Sequence, residues 1–218
     1  MRALQGFFVA ILLTSLMGCG LLKPPIIGSG NIIAQPIDVT EFEEIDFSGG
    51  GSMVVEAGSS QSTCVIEVDD NLLEHIHAKV ENGVLRIYST ASIAPSKGLI
   101  VRISTPTLRQ LSSSGSSEST ITGLSGPEFK VDVSGSGDVT CSGAVDTFSF
   151  DVSGSGSVDA KELQCKQAAI AVSGSGKAIV NAEEKLDVAI SGSGDVIYYG
   201  SPKIEKSISG SGSIEAAK

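Results

Sequence analysis

A short glycine-rich stretch, Ser173–Lys177, has the residue types of a phosphate-binding loop. Such loops cradle phosphate oxygens with backbone N–H groups, and their lysine contacts the terminal phosphates. The motif also requires a glycine five residues before the Gly-Lys pair and Ser or Thr after the lysine. This chain has Ala171 and Ala178 at those positions, so the sequence predicts no nucleotide site.

Two pairs of aspartates also have spacings that could carry chemistry. Asp138 and Asp195 each follow a Ser-Gly-Ser-Gly sequence and could contribute oxygen ligands to a column of calcium ions. Lys177 occupies the equivalent position of another copy, where its charge would repel calcium. Asp132 and Asp151 would lie about 5 Å apart on neighbouring strands, a separation typical of retaining glycosidases, but no partner base or aromatic residue accompanies them. We interpret both pairs as exposed acidic residues.

The histidines form a third candidate cluster. His75 and His77 would face one side of a strand and could hold a metal ion if a third ligand were nearby. No third ligand is identifiable, and the glycine-serine repeats contain no histidine for a Ser-His-Asp triad. The sequence therefore predicts no metal, no cofactor and no enzymatic activity.

The N-terminus predicts a lipid modification. Arg2 precedes an apolar run over residues 6–16, which is too short to span a bilayer as a helix. The run ends in Leu16-Met17-Gly18-Cys19, which resembles the lipobox of bacterial lipoproteins, in which the cysteine is lipidated. We predict a signal peptide over 1–18, then a lipidated Cys19 and a tether over 19–25. Gly20, in place of the aspartate used for inner-membrane retention, favours the outer membrane.

Three further cysteines lie in the mature chain: Cys64, Cys141 and Cys165. An odd number cannot all pair, and Cys141 falls in an apolar column of the repeats, as a small core residue would. Whether any of the three forms a disulfide is left open.

The elements that would position these residues form a repeat. Ser-Gly-Ser-Gly begins at Ser134, Ser153, Ser173, Ser191 and Ser209, so the starts are 18 to 20 residues apart. Apolar residues alternate on both sides of each copy, as in strands with one buried face. A weaker copy occupies Ser114–Ser117. This period predicts an all-β, right-handed parallel β-helix (solenoid) with 18–20-residue coils of about three short strands each. The unequal spacing speaks against a left-handed hexapeptide solenoid.

The glycines of the motif fall at the alternating positions that face inward with the apolar residues, whereas the serines fall at the positions that face outward. We predict that the glycines form structural corners where a Cβ would collide with the core. The corner glycines are Gly135, Gly137, Gly154, Gly156, Gly174, Gly176, Gly192, Gly194, Gly210 and Gly212.

We divide the mature chain into a less regular β region over 26–105 and regular repeats over 106–218, joined as one continuous domain. Ile27–Ile33 and the segment around Ser48 both look like early repeat units. Asn82-Gly83 predicts a β-hairpin. Strands are expected at Thr63–Val68 and Leu99–Ile103, with a turn or single helical turn at Asp70–His75.

Charge limits the choice of partners. The formal net charge of −10 at pH 7 argues against binding to nucleic acid. Lys206 occupies a core position in the last repeat, where a charge would discourage end-to-end pairing of strands.

The series Gly28-Ser29-Gly30-Asn31, Asp70-Asn71-Leu72-Leu73 and Glu81-Asn82-Gly83-Val84, followed by the repeats, resembles the auto-transporter adhesin "head GIN" domain family of bacterial envelope proteins. The resemblance covers about residues 26–218 and implies a right-handed β-helix-like fold. It supplies no catalytic or binding residues to carry over. We therefore expect an outer-membrane lipoprotein with a non-enzymatic binding or adhesion role, whose ligand is a surface glycan or a protein. A structural envelope component is the alternative, and a glycan-active β-helix enzyme comes third. Oligomeric state and orientation are left open.

Overall fold

The computed structural model describes residues 24–217 and consists almost entirely of β-structure. One short 3₁₀ helix occupies Asp70–His75. The strands in chain order are β1 (Ile26–Ile27), β2 (Ile32–Ile37), β3 (Glu44–Ala57), β4 (Thr63–Asp69), β5 (Ile76–Glu81), β6 (Val84–Ser89), β7 (Ile93–Ala94), β8 (Ile100–Thr105), β9 (Gln110–Gly135), β10 (Asp138–Gly154), β11 (Ser157–Gly174), β12 (Lys177–Gly192), β13 (Asp195–Tyr199), β14 (Lys203–Gly210) and β15 (Ser213–Ala216).

The regular part is a parallel β-solenoid of about five turns, as predicted. Each of β9 to β12 pairs in parallel with the next, and the motif stays in register, so that Ser153 pairs with both Ser134 and Ser173. The first part of β12 pairs with β13 and its later part with β14. β15 begins a further coil on β13.

The strands differ from the three short ones predicted per coil. β10, β11 and β12 each run through almost a whole coil without a break in the ladder. Adjacent coils bend at the same positions, so hydrogen bonds between coils persist around the bends. The unequal coil lengths are absorbed as register shifts, for example between Cys141 and Gly143, on the side away from the Ser-Gly-Ser-Gly corner.

The core is one continuous cluster of aliphatic and phenylalanine side chains. The alternating residues before each corner point inward, as Phe148, Phe150 and Val152 do in β10. Leu163 belongs to a further set of inward-facing residues on the side of the coil away from the Ser-Gly-Ser-Gly corner, which the alignment on that motif did not identify. Cys64, Cys141 and Cys165 are all buried and free.

The irregular N-terminal region is built around one strand of the same stack. β3 pairs in parallel with β9, with Ser48 opposite Ser114 and Gly49 opposite Gly115, which confirms the repeat unit predicted around Ser48. On its other side, β3 pairs in parallel with β6 and β8. Residues 58–109 therefore contain the strands, β6 and β8, that form the coil on one side of β3, and the chain then continues into β9 on the other side of β3. We call residues 58–109 the excursion.

The unit predicted at Ile27–Ile33 is wrong. β2 begins at Ile32 and pairs antiparallel with β4, outside the parallel stack. The Gly28–Gly30 sequence before β2 is instead hydrogen-bonded to aspartate side chains. Gly30 N–H donates to Asp69 Oδ1 at 2.7 Å, and Ser29 Oγ donates to Asp70 Oδ1 at 2.5 Å. Local sequence similarity to a corner did not decide its structure.

Two other local predictions are confirmed. β5 and β6 form an antiparallel hairpin across Asn82 and Gly83, whose φ values of 53° and 80° are those of a type I′ turn. The helical turn at Asp70–His75 is the 3₁₀ helix.

Candidate binding surface on the coil face

The Ser-Gly-Ser-Gly corners give their two glycines different environments. The first glycine of each copy has a φ between +126° and +132°, a region that side chains rarely adopt. A Cβ there would overlap the carbonyl oxygen of the equivalent glycine one coil below, as for Gly154 above Gly135. The first glycine therefore permits close stacking of backbone on backbone.

The second glycine of each copy faces the core. A Cβ on Gly156 would lie 2.6 Å from both the Gly137 carbonyl oxygen and Val133 Cγ1. Gly137 is less constrained, because its nearest neighbour would be Ser117 Oγ at 3.2 Å. The coil below Gly137 has Ser113 where the coils above it carry valine or isoleucine, and Ser113 is hydrogen-bonded to Ser117 at 2.6 Å.

The outward residues before each corner form a continuous surface, which we call the serine face. Its central column is a stack of serines in register, spaced at about 4.8 Å along the solenoid. The column consists of Ser48, Ser114, Ser134, Ser153, Ser173, Ser191 and Ser209. Apart from Ser48 and Ser114, which are half-buried, these serines are exposed.

Asp132 and Asp151, the candidate carboxylate pair, lie on the serine face beside a lysine. Lys130 Nζ is 2.9 Å from Asp132 Oδ1 and 3.5 Å from Asp151 Oδ2. The hydrogen bond to Asp132 raises the pKa of Lys130. Gln110 Nε2 also donates to Asp132 Oδ2 at 2.8 Å. The two carboxylates are thus partners of one cation, which fits their interpretation as exposed acidic residues.

A second charged cluster lies further along the same face. Lys185 Nζ is 2.8 Å from Asp187 Oδ2 and 3.4 Å from Glu205 Oε2. The hydrogen bond to Asp187 raises the pKa of Lys185, whereas the hydrogen bond from Lys203 lowers the pKa of Glu205. The second cluster has two lysines for two carboxylates, whereas the first has one lysine for two.

Between these clusters lies a shallow groove of about 470 Å³. Its floor is formed by small side chains, Ala169, Ala171 and Ala189, while Lys130 and Glu205 stand at opposite ends. An adjoining cleft of about 320 Å³ is lined by four serines of the column and by three carboxylates, those of Asp46, Asp132 and Asp151. The sequence pattern identified the serines but missed the groove. The signal was present, since the outward positions next to the serines change from charged residues to alanine in these coils.

The other residues that the sequence singled out, the Asp138/Asp195 pair and the two histidines, do not form a common site. Asp138 and Asp195 each accept a hydrogen bond from the serine one coil above, Ser157 and Ser213 respectively. The His77 and Tyr88 rings are tilted by 33° with their centroids 5.4 Å apart, and His75 Nε2 lies 3.7 Å from Glu74 Oε1. Among residues 24–217, no three His, Cys, Asp or Glu side chains are arranged to hold a metal ion.

Two predictions on the N-terminus fall outside these residues. The signal peptide over 1–18 and the lipidated Cys19 lie outside the part of the chain that the structure describes. Over residues 24–217, no helix is long and apolar enough to cross a membrane.

Several solved structures are similar to this chain. A putative adhesin from Bacteroides fragilis is 25% identical, with a TM-score of 0.72, and the match covers 88% of this chain and 100% of that one. A putative lipid-binding protein from Parabacteroides distasonis is also 25% identical, with a TM-score of 0.56 over 89% of this chain and 100% of that one. A putative adhesin from Parabacteroides merdae, 19% identical with a TM-score of 0.56 over 90% and 100%, shares the fold. No curated protein matches the chain.

The family model described as "Putative auto-transporter adhesin, head GIN domain" matches residues 41–202, which contain β3 to β13. The expectation drawn from the sequence motifs is thereby confirmed, and the chain belongs to this family.

Proposed function

We propose that this chain is a lipid-anchored protein of the bacterial cell envelope that uses the serine face as a non-enzymatic binding or adhesion surface. The single observation that carries the proposal is the serine column with its adjoining groove, an exposed surface of hydroxyls and small side chains bordered by charged residues. Hydroxyl groups both donate and accept hydrogen bonds, so this surface suits a surface glycan or an extended protein segment. Family membership and the adhesin relatives support an envelope-associated binding role.

The attachment to the membrane is part of the proposal. Residues 1–18 would be removed as a signal peptide, and a lipid on Cys19 would tether the solenoid through residues 19–25. A Cys19→Ser variant should leave the membrane fraction and appear in the soluble fraction. A variant that stayed membrane-bound would refute the anchor. Protease treatment of intact cells would show whether the domain faces outward.

Binding is tested with the chain from residue 19 onward carrying Cys19→Ser, applied to glycan arrays and immobilised matrix proteins. Ala171→Arg would place a long charged side chain in the floor of the groove and should weaken binding at least tenfold. Ala144→Arg is the matched control, because Ala144 is exposed on the opposite side of the same coils. Equal effects of the two variants would argue against the serine face. A domain that binds no ligand, but whose loss weakens the envelope, would favour a structural role.

A further inference from the structure

A cavity of about 400 Å³ lies at the N-terminal end of the stack, away from the serine face groove. One wall is the backbone of the Gly49-Gly50-Gly51 corner, and the rest is mainly apolar. No charged side chain lines it. The apolar lining residues are Phe47, Ile76, Ile87, Ile93, Pro95 and Leu99.

The cavity exists because one corner of the stack is missing. In the regular coils, each first corner glycine rests on the carbonyl of the glycine below. Gly49 has the same conformation, with a φ of +135°, yet nothing lies within 4 Å of its Cβ position. The coil beneath is interrupted there: β6 ends at Ser89, β8 begins at Ile100, and residues 90–99 leave the stack as a loop.

The loop is held open by the N-terminal segment. β7 in this loop pairs in parallel with β1, so that Ile26 lies opposite Ile93, and Ile26 N–H donates to the Ser92 carbonyl at 2.9 Å. Ser96 in the same loop donates its backbone N–H and its hydroxyl to the buried Asp69 carboxylate at 2.8 and 2.7 Å. The cavity is therefore a preformed part of the fold.

Its size and lining suit a hydrocarbon chain. Ligand pockets are typically about 300–1,000 Å³ and mostly apolar, with a few polar groups that fix orientation. At ~30 Å³ for each water-sized group, the cavity has room for about thirteen methylene groups. The polar contacts that it offers come from Ser48, Ser89 and Tyr88.

Cations adjoin the cavity on the side of Tyr88. A neighbouring cleft shares Ser48, Ile87 and Tyr88 with the cavity and is also lined by Lys79 and Arg86. Lys79 Nζ lies 5.8 Å from the centre of the Tyr88 ring and 2.7 Å from Glu81 Oε1. Arg86 lies 3.3 Å from Asp46 Oδ2 and 3.6 Å from Glu81 Oε2. A ligand carboxylate at the mouth of the cavity would compete with Glu81 and Asp46 for these two exposed cations.

We propose that this cavity binds a long-chain fatty acid, with the acyl chain under the Gly49–Gly51 corner and the carboxylate beside Lys79 and Arg86. The site shares Ser48 with the serine face but lies away from its groove, and the proposal holds whether or not that groove binds a ligand.

A chain-length series on the otherwise unchanged protein tests the acyl site. Saturated fatty acids of eight to sixteen carbons are titrated below their micelle concentrations into the chain from residue 19 onward carrying Cys19→Ser. Each added methylene should tighten binding roughly 3- to 4-fold until the cavity is full, because it buries one more apolar group. Affinity that is absent, or independent of chain length, would overturn the proposal.

Two variants in one loop locate the site. Ala91→Phe fills the cavity and should weaken binding of the fourteen-carbon acid at least tenfold. Ser92→Phe is the matched control, since Ser92 is exposed in the same loop and does not line the cavity. Equal loss in both variants would refute this location. Ala171→Arg on the serine face should leave fatty acid binding unchanged, which separates the two sites.

The carboxylate position is tested with methyl esters. The ester should bind about tenfold more weakly than the acid, and Arg86→Gln should weaken the acid while leaving the ester unchanged. Equal affinities of acid and ester for the wild-type chain would overturn the assignment of the carboxylate to Lys79 and Arg86.

Discussion

At the residue scale, the first glycine of each corner combines an unusual backbone conformation with a close backbone neighbour. Gly49 separates these two causes, because it shares the conformation but has open space at its Cβ position. Gly154 has both constraints, with the Gly135 carbonyl directly below.

We therefore predict different costs for the same substitution at the two positions. Gly49→Ala should lower the free energy of unfolding by about 1–2 kcal/mol, the cost of a positive φ in a non-glycine residue. Gly154→Ala should lower it by about 3–5 kcal/mol, because the coil spacing must also widen locally. Urea unfolding followed by circular dichroism measures both. Equal costs would mean that backbone conformation alone selects glycine.

The buried cysteines lead to a second residue-scale prediction. Burial raises the pKa of the Cys64 and Cys165 thiols to about 11 and that of Cys141 to about 12. Because the thiolate is the reactive form, the native chain with Cys19→Ser should not react with a thiol reagent at pH 8. All three cysteines should react in urea. Fast reaction of a native thiol would contradict their burial.

The same thiols affect stability at high pH. Their folded pKa values lie above the ordinary value of 9.0, so above that pH the unfolded chain loses protons that the folded chain keeps. Stability should therefore decline as the pH rises above 9, which pH-dependent urea midpoints can measure.

At the element scale, the stack and the excursion differ in how far the sequence determines them. The regular coils are predictable because alternation and motif recur together at a fixed period. The Gly28–Gly30 sequence resembles a corner but leads into the antiparallel edge strand β2, and it is held by the Asp69 and Asp70 carboxylates, 39 or more residues away in sequence. The cavity could not be predicted from the sequence either, because it depends on the absence of a corner between β6 and β8, in the coil beneath Gly49.

Asp69 joins three elements through one buried carboxylate. It accepts hydrogen bonds from Gly30 N–H before β2 and from Ser96 in the loop that carries β7, while its own backbone ends β4. The hydrogen bond from the Ser96 hydroxyl is the largest contribution that lowers the pKa of Asp69, despite burial.

We predict that Asp69 makes the N-terminal segment acid-sensitive. A folded pKa below the ordinary value of 3.8 contributes stability above that pH and loses it as the pH falls through the folded pKa. Asp69→Asn should reduce stability near neutral pH and flatten its acid dependence, because an amide –NH₂ would face N–H and O–H donors. Amide exchange should accelerate mainly in Ile32–Ile37. The exposed Asp38→Asn is the control, and equal effects would contradict this role.

At the scale of the whole molecule, the two ends of the stack differ. At the N-terminal end, the antiparallel strands β2, β4 and β5 border the parallel coils. At the other end, β14 pairs only with β12 among the described strands, which leaves one side of a parallel strand open. Ile208 in this strand is 38% exposed, although its equivalent Ile190 is buried. Open edges of this kind favour association with further strands.

Lys206 is the feature that opposes such association. It pairs with Val188 and continues the inward column of Val131, Phe150 and Ile170, yet it is exposed. A lysine at this position must keep its ammonium group in water, so a second strand or a second copy cannot cover the end without desolvating a charge.

We therefore predict that Lys206→Val converts the open end into an association surface. The valine should pack on Val188 and stabilise the last coil by about 1 kcal/mol, seen as slower amide exchange in β14. It should also raise the mean mass in sedimentation or light scattering above that of the wild type at equal concentration. Ser207→Val, one residue further along and outward-facing, is the matched control. A mass unchanged by Lys206→Val, or raised equally by both substitutions, would show that the inward lysine does not protect this end.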